Sequence, residues 1–139
     1  MDIELLARQA VDCGFQIHAE LGPGMFESVY EVALAKRLEK RGMRVERQKG
    51  ISLTIEGTMF TDAFRADLVV EDVLLIEVKS LEKTLPVHIK QLLTYLRTMK
   101  LPLGFVMNFG TATFKEGIRR VANEYWRDPS LQHGGAKRL

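Results

Sequence analysis

Apolar residues recur three and four positions apart at the start of the chain, at Ile3, Ala7, Ala10, Gly14, Ile17 and Leu21, the period of one face of a helix. The pattern predicts an amphipathic first helix, stopped by the turn residues Gly22-Pro23-Gly24. A second helix is expected over 25–41, where good helix formers dominate and Gly42 is placed as a left-handed C-terminal cap. The period then falls to two. Ile51, Leu53 and Ile55 alternate with polar residues, Glu56-Gly57 makes a turn and 59–63 returns. Two further strands follow, one carrying Asp67 and one over 73–79, joined at Glu71-Asp72. Thr84 is placed to cap a helix over 86–100, with Pro86 in its first turn and Ile89, Leu92, Leu93 and Leu96 on its core face. A short apolar strand is expected over 103–109. Phe114, Ile118, Val121 and Tyr125 mark a last amphipathic helix with Lys115, Arg119 and Arg120 turned outward, and Tyr125 and Trp126 closing the core.

This order, two helices, a meander of three or four strands, a helix, a strand and a helix, predicts an α/β domain with a mixed central sheet flanked by helices. The 139 residues fit one compact domain, placed at 1–127, with a flexible tail at 128–139. The net charge of +2 is too small to imply nucleic acid by itself. Its distribution is uneven, because basic stretches at 32–50 and 100–139 flank an acidic centre. A positive rim about carboxylates suits a polyanion, and solvated helix faces explain it equally well. The single cysteine, Cys13, excludes a disulfide, a zinc cluster or a cysteine-ligated iron–sulfur cluster within one chain. It reads as a small buried side chain. An acidic start, Met1-Asp2-Ile3-Glu4, and the lack of any apolar run of about 20 residues predict a soluble, cytoplasmic protein with no membrane contact.

The chemistry concentrates between Arg65 and Lys79, where strands apolar enough to be buried nevertheless carry Asp67, Glu77 and Lys79. Charges in such strands suffer a desolvation cost that surface charges avoid, so something must compensate. Glu77 and Lys79 are two apart and project to one side, with Leu74, Ile76 and Val78 on the other. Pairing outward from the Glu71-Asp72 turn brings Asp67 near Glu77. Two carboxylates could share a divalent ion, with the Val78 carbonyl as a further oxygen ligand and Lys79 alongside to orient water or balance phosphate charge. A structural ion pair from Lys79 to Glu77 or Asp67 accounts for the spacing equally well.

The set Asp67 and Glu77-Val78-Lys79, within this element order, resembles the PD-(D/E)XK nuclease superfamily from the first helix to Tyr125. Gly24-Met25-Phe26-Glu27-Ser28-Val29-Tyr30, entered through His18-Ala19-Glu20-Leu21-Gly22-Pro23, resembles the Gly-x-x-Glu-x-x-Tyr signature of the GxxExxY proteins in that superfamily. Gln91-Leu92-Leu93-Thr94-Tyr95 resembles the Gln-x-x-x-Tyr element of its RecB-like nucleases. The resemblance implies a restriction-endonuclease-like core and a Mg2+- or Mn2+-dependent nuclease. In such an enzyme Asp67, Glu77 and the Val78 carbonyl hold the ion, Glu27 completes the metal site and Lys79 is catalytic, with Gln91 and Tyr95 in support. For Glu27 the alternative is a carboxylate complementing the helix dipole; for Tyr95 it is an aromatic at the core edge with a wet hydroxyl. His18 and His88 read as structural, and His133 falls in the tail. Ala66 stands where the name-giving motif has proline, and the four-cysteine cluster of some RecB-like nucleases is absent.

Nucleic acid is therefore the expected partner, with DNA favoured over RNA by the resemblance. A homodimer or a larger partner would add grip on a duplex that one small domain lacks. The competing hypothesis is a non-catalytic module binding nucleic acid or protein on the same fold, for which Arg44, Arg47, Lys115 and Arg119 would matter and Glu77 and Lys79 would not. A third is a hydrolase of another phosphoester.

Overall fold

The computed structural model describes residues 2–124. Helix α1 (Ile3–Leu21) starts where the Asp2 side chain accepts the Glu4 N–H, and ends as expected at Gly22. Helix α2 (Glu27–Lys40) starts two residues later than the composition implied, because Phe26 is its N-cap. Its end is a Schellman turn: Gly42, at φ 89°, donates to the Glu39 carbonyl, and Met43 donates to that of Leu38.

Strands β1 (Val45–Ile55) and β2 (Thr58–Val70) form one long antiparallel ribbon closed at Glu56-Gly57. The separate return strand expected over 59–63 is thus the first part of β2. Met59 and Phe60 are exposed there, where the ribbon runs beyond the core. A three-residue turn, Glu71-Asp72-Val73, with Glu71 and Asp72 at positive φ and the Val73 N–H donating to the Val70 carbonyl, leads into β3 (Leu74–Lys79). Helix α3 (Pro86–Met99) then crosses to β4 (Leu103–Asn108), which runs parallel to β3. The sheet order is β1-β2-β3-β4-β5.

The last element departs from expectation. Instead of a helix through Tyr125, a single turn, α4 (Phe114–Gly117), gives way to strand β5 (Ile118–Ala122), antiparallel to β4. Ile118 and Val121 are three apart, so they would share a helix face but lie on opposite sides of a strand. Each is used there: Ile118 packs on the core under α1 and α2, and Val121 on the core under α3. Pairing also satisfies the free edge of the buried strand β4. Tyr125, Trp126, His133 and the tail from Asp128 lie outside the described residues.

Two cores sandwich the sheet. Leu6, Ala10, Cys13 and Ile17 of α1 and Tyr30, Leu34 and Leu38 of α2 pack on Leu68, Leu74, Ile76, Val78 and Phe105. Leu92 and Leu96 of α3 pack on Val69, Leu75 and Val106 from the other side. Leu75 lies on the α3 side, so alternation turns Glu77 and Lys79 that way as well, at the C-terminal end of β3. Among the described residues no helix is long and apolar enough to cross a membrane.

Thr84 does not cap α3. The N-cap is Leu85, whose N–H donates to His88 Nδ1 at 3.0 Å, while Thr84 Oγ1 accepts from Asn108 Nδ2 and donates to the Gly117 carbonyl. The buried Asn108 draws Thr84 away, because its own amide would otherwise lack a partner.

Candidate active site

The β2–β3 ladder pairs Val70 with Leu74, Val69 with Leu75 and Leu68 with Ile76. One more step in that register sets Asp67 opposite Glu77, and there side chains replace the backbone rungs. The Asp67 N–H donates to Glu77 Oε2 at 2.8 Å, and the Val78 N–H donates to Asp67 Oδ2 at 2.8 Å. Each carboxylate is thus anchored on the opposite strand. The two acids that sequence reasoning paired do meet.

Glu77 is 5% exposed. Burial first, and the Asp67 charge second, push its carboxyl up to about 8, against weaker stabilisation of the anion by the Asp67 N–H and by Lys79. Lys79, two residues on, sits beside Asn108 of β4. Among the described residues it forms no ion pair with either acid. The structural ion pair that the spacing allowed is therefore not formed, and among the described residues no cation forms an ion pair with either acid.

Tyr30, the last residue of the signature, is fully buried and stacks on Phe109 with ring centroids 4.6 Å apart. Its hydroxyl donates to the Gly22 carbonyl at 2.6 Å and accepts the Met25 N–H at 3.1 Å, which locks the Gly22-Pro23-Gly24 turn. Ser80 Oγ then ties the Met25 carbonyl to the end of β3 at 2.6 Å. The start of α2 is fastened in this way beside the strand that carries Glu77 and Lys79. His18 supports the same end of the molecule, its Nε2 2.9 Å from the Thr111 carbonyl.

Glu27 is exposed on the first turn of α2 and makes no hydrogen bond or ion pair among the described residues. The α2 carboxylate that reaches the cluster is Glu31, one turn on, which sequence reasoning missed. It is 5% exposed, accepts from Arg47 Nε and Nη2 at 3.1 and 2.9 Å, and accepts from Gln48 Nε2 at 2.7 Å. The same Gln48 amide donates to Asp67 Oδ1 at 3.1 Å. The one available signal was that Glu31 lies four residues after Glu27, on the same face.

On α3, Tyr95 stacks on Phe64 with centroids 3.9 Å apart and planes at 6°, pinning the ribbon to the helix. Its phenol is held above the usual range by burial and then by the charges of Glu77 and Asp67, so it lies within the field of the acid pair. Gln91, one turn earlier, is exposed without a hydrogen bond among the described residues. Asn108, also unforeseen, is fully buried and accepts the N–H groups of Leu81 and Gly110, which fixes the chain leaving β3 just after Lys79.

Among the described residues no three Asp, Glu, His or Cys side chains are grouped to enclose a cation. The available donors are the Asp67 and Glu77 carboxylates, the Val78 carbonyl and solvent. Such a sparse oxygen set fits a hard ion that keeps several waters, as Mg2+ and Mn2+ do, and a cation there would relieve the charge that burial penalises at Glu77.

Residues 4–121 match the family model of the PD-(D/E)XK nuclease superfamily, and the chain belongs to that superfamily. Its members are generally phosphodiesterase nucleases that typically use divalent metals. No curated protein and no solved structure matches the chain.

Proposed function

We propose that the protein is a Mg2+- or Mn2+-dependent nuclease of the GxxExxY group that hydrolyses phosphodiester bonds of nucleic acid, DNA in preference to RNA, in the cytoplasm. The observation that carries this reading is the Asp67–Glu77 pair, Glu77 buried and Asp67 half-buried, each acid anchored on the other strand, with the Lys79 ammonium in ion-pair contact with neither among the described residues. Asp67, Glu77 and the Val78 carbonyl would hold the ion, and Glu27, at the exposed start of α2, would contribute through water. When bound, such an ion polarises the phosphate and acidifies a water. Lys79 positions the attacking water and stabilises negative charge that develops on the phosphate oxygens. Gln91 and the Tyr95 hydroxyl support the substrate phosphate from α3.

The binding-module alternative loses ground on the same surfaces. Arg44 is paired with Asp72 and Arg47 with Glu31, so two of the four cations it relies on are engaged within the chain. Grip on a long substrate would come from a second copy or a larger partner.

The test is incubation of the purified protein with single- and double-stranded DNA and RNA in Mg2+, Mn2+ or chelator, beside an Asp67→Asn variant. Metal-dependent cleavage by the wild type and at least a hundredfold less by the variant is expected. Equal cleavage by both, or cleavage in chelator, would refute the assignment.

A further inference from the structure

Six residues other than glycine adopt positive φ among the described residues. Glu56, Glu71 and Asp72 do so in turns, Lys100 does so at the C-terminus of α3, and Asp62 lies beside the register shift of the ribbon. Gln48, at φ 49°, has no such reason: it sits inside β1, between the rungs Arg47–Leu68 and Lys49–Ala66. The rung it interrupts is the one opposite Asp67. A left-handed glutamine persists only where its surroundings fix it, and such strain concentrates at working sites. Here the distortion delivers one amide nitrogen to two acids, Glu31 at 2.7 Å and Asp67 at 3.1 Å.

We propose that Gln48 is a positioning residue of the metal site, held in a strained backbone so that its amide links Asp67 to the buried Glu31. The inference rests on the nuclease reading, because it assigns Gln48 a task only if Asp67 binds an ion. With Oδ2 on the Val78 N–H and Oδ1 on the Gln48 amide, the Asp67 carboxylate has a single orientation. Glu31 in turn is clamped by the Arg47 guanidinium, so the amide is itself supported from behind. A neutral amide suits the place. A lysine or arginine there would neutralise Asp67 and compete with the cation, whereas an acid would repel the Asp67 and Glu31 carboxylates.

The test pairs Gln48→Ala with Gln48→Gly. Both delete the amide, but only glycine relieves the left-handed backbone. Mn2+ affinity, measured by calorimetry, is expected to fall about tenfold or more in both variants by a similar factor, the size usual for partners that orient a metal ligand. Thermal unfolding in chelator should place the glycine variant above the alanine variant. In nuclease assays the Mn2+ requirement should rise by the same factor, with the maximal rate largely recovered at saturating Mn2+. Wild-type Mn2+ affinity in both variants would overturn the proposal. So would affinity that follows stability, with glycine near wild type and alanine weak, since a merely structural glutamine behaves that way. A wild-type protein that binds no Mn2+ would instead refute the nuclease reading, and this inference with it.

Discussion

Lys79→Met should reduce the rate of DNA cleavage at saturating metal by about a hundred- to a thousandfold while leaving the fold intact. Loss of one group that stabilises charge in a transition state costs about that much. Methionine keeps most of the aliphatic stem, so packing at the end of β3 is preserved. Lys79 forms no ion pair among the described residues, so its removal orphans no partner. Unfolding should therefore shift by no more than about 0.5 kcal/mol, as for an ordinary surface change. Kinetics read against thermal melts would separate the two effects. A variant that cuts at the wild-type rate would remove Lys79 from the mechanism, and one that fails to fold would make it a structural residue.

Glu77→Gln should stabilise the metal-free protein at alkaline pH and flatten its pH dependence. The wild-type carboxyl is raised from an ordinary 4.5 to about 8. Below pH 4.5 it is protonated in folded and unfolded chains alike, and its contribution to stability is complete. As pH rises toward 8 the unfolded chain gives up the proton while the folded chain keeps it, so stability falls. Above 8 the folded form ionises too and the loss levels off. At about 1.4 kcal/mol per pKa unit the ceiling is roughly 4–5 kcal/mol, a large part of the stability of a domain this size. Glutamine retains an oxygen to accept the Asp67 N–H, so it removes the charge without breaking that contact. Urea unfolding in chelator at pH 5 and pH 8.5 measures this. The wild type should lose several kcal/mol relative to the variant between the two conditions; equal losses would show that Glu77 ionises normally in the fold.

The acids and the lysine were legible because charge inside an apolar run is conspicuous. Asp67, Glu77 and Lys79 stand out among valines and leucines, and pairing outward from the turn at Glu71-Asp72 brings the acids near each other; the register that sets them opposite depends on Val73 joining the turn, which the sequence does not show. The helices α1 and α3 were equally plain from their three- and four-residue spacing. Glu31 and Gln48 were hidden for the opposite reason. A lone glutamate on a helix looks solvated even between Tyr30 and Val32, and its partners Arg47 and Gln48 come from 16 and 17 residues away. Gln48 precedes Ile51, where the expected alternation begins, so it does not read as a strand residue, and no local signal announces a left-handed backbone there. Strand β5 was misread because Phe114, Ile118 and Val121 satisfy a helical period, while Ile118 and Val121 also supply the two sides of a short strand. What decides between them is the unpaired edge of β4, a tertiary condition. Asn108 escaped notice for a similar reason, as its partners Leu81 and Thr84 come from another loop.

The central claim is that Asp67 and Glu77 jointly bind a divalent cation, and calorimetric titration of the protein with Mn2+ tests it without any assumption about substrate. One site per chain in the wild type, lost in both Asp67→Asn and Glu77→Gln, is the result the account predicts. Mn2+ binding that survives both substitutions unchanged would contradict it, as would a wild type that binds none.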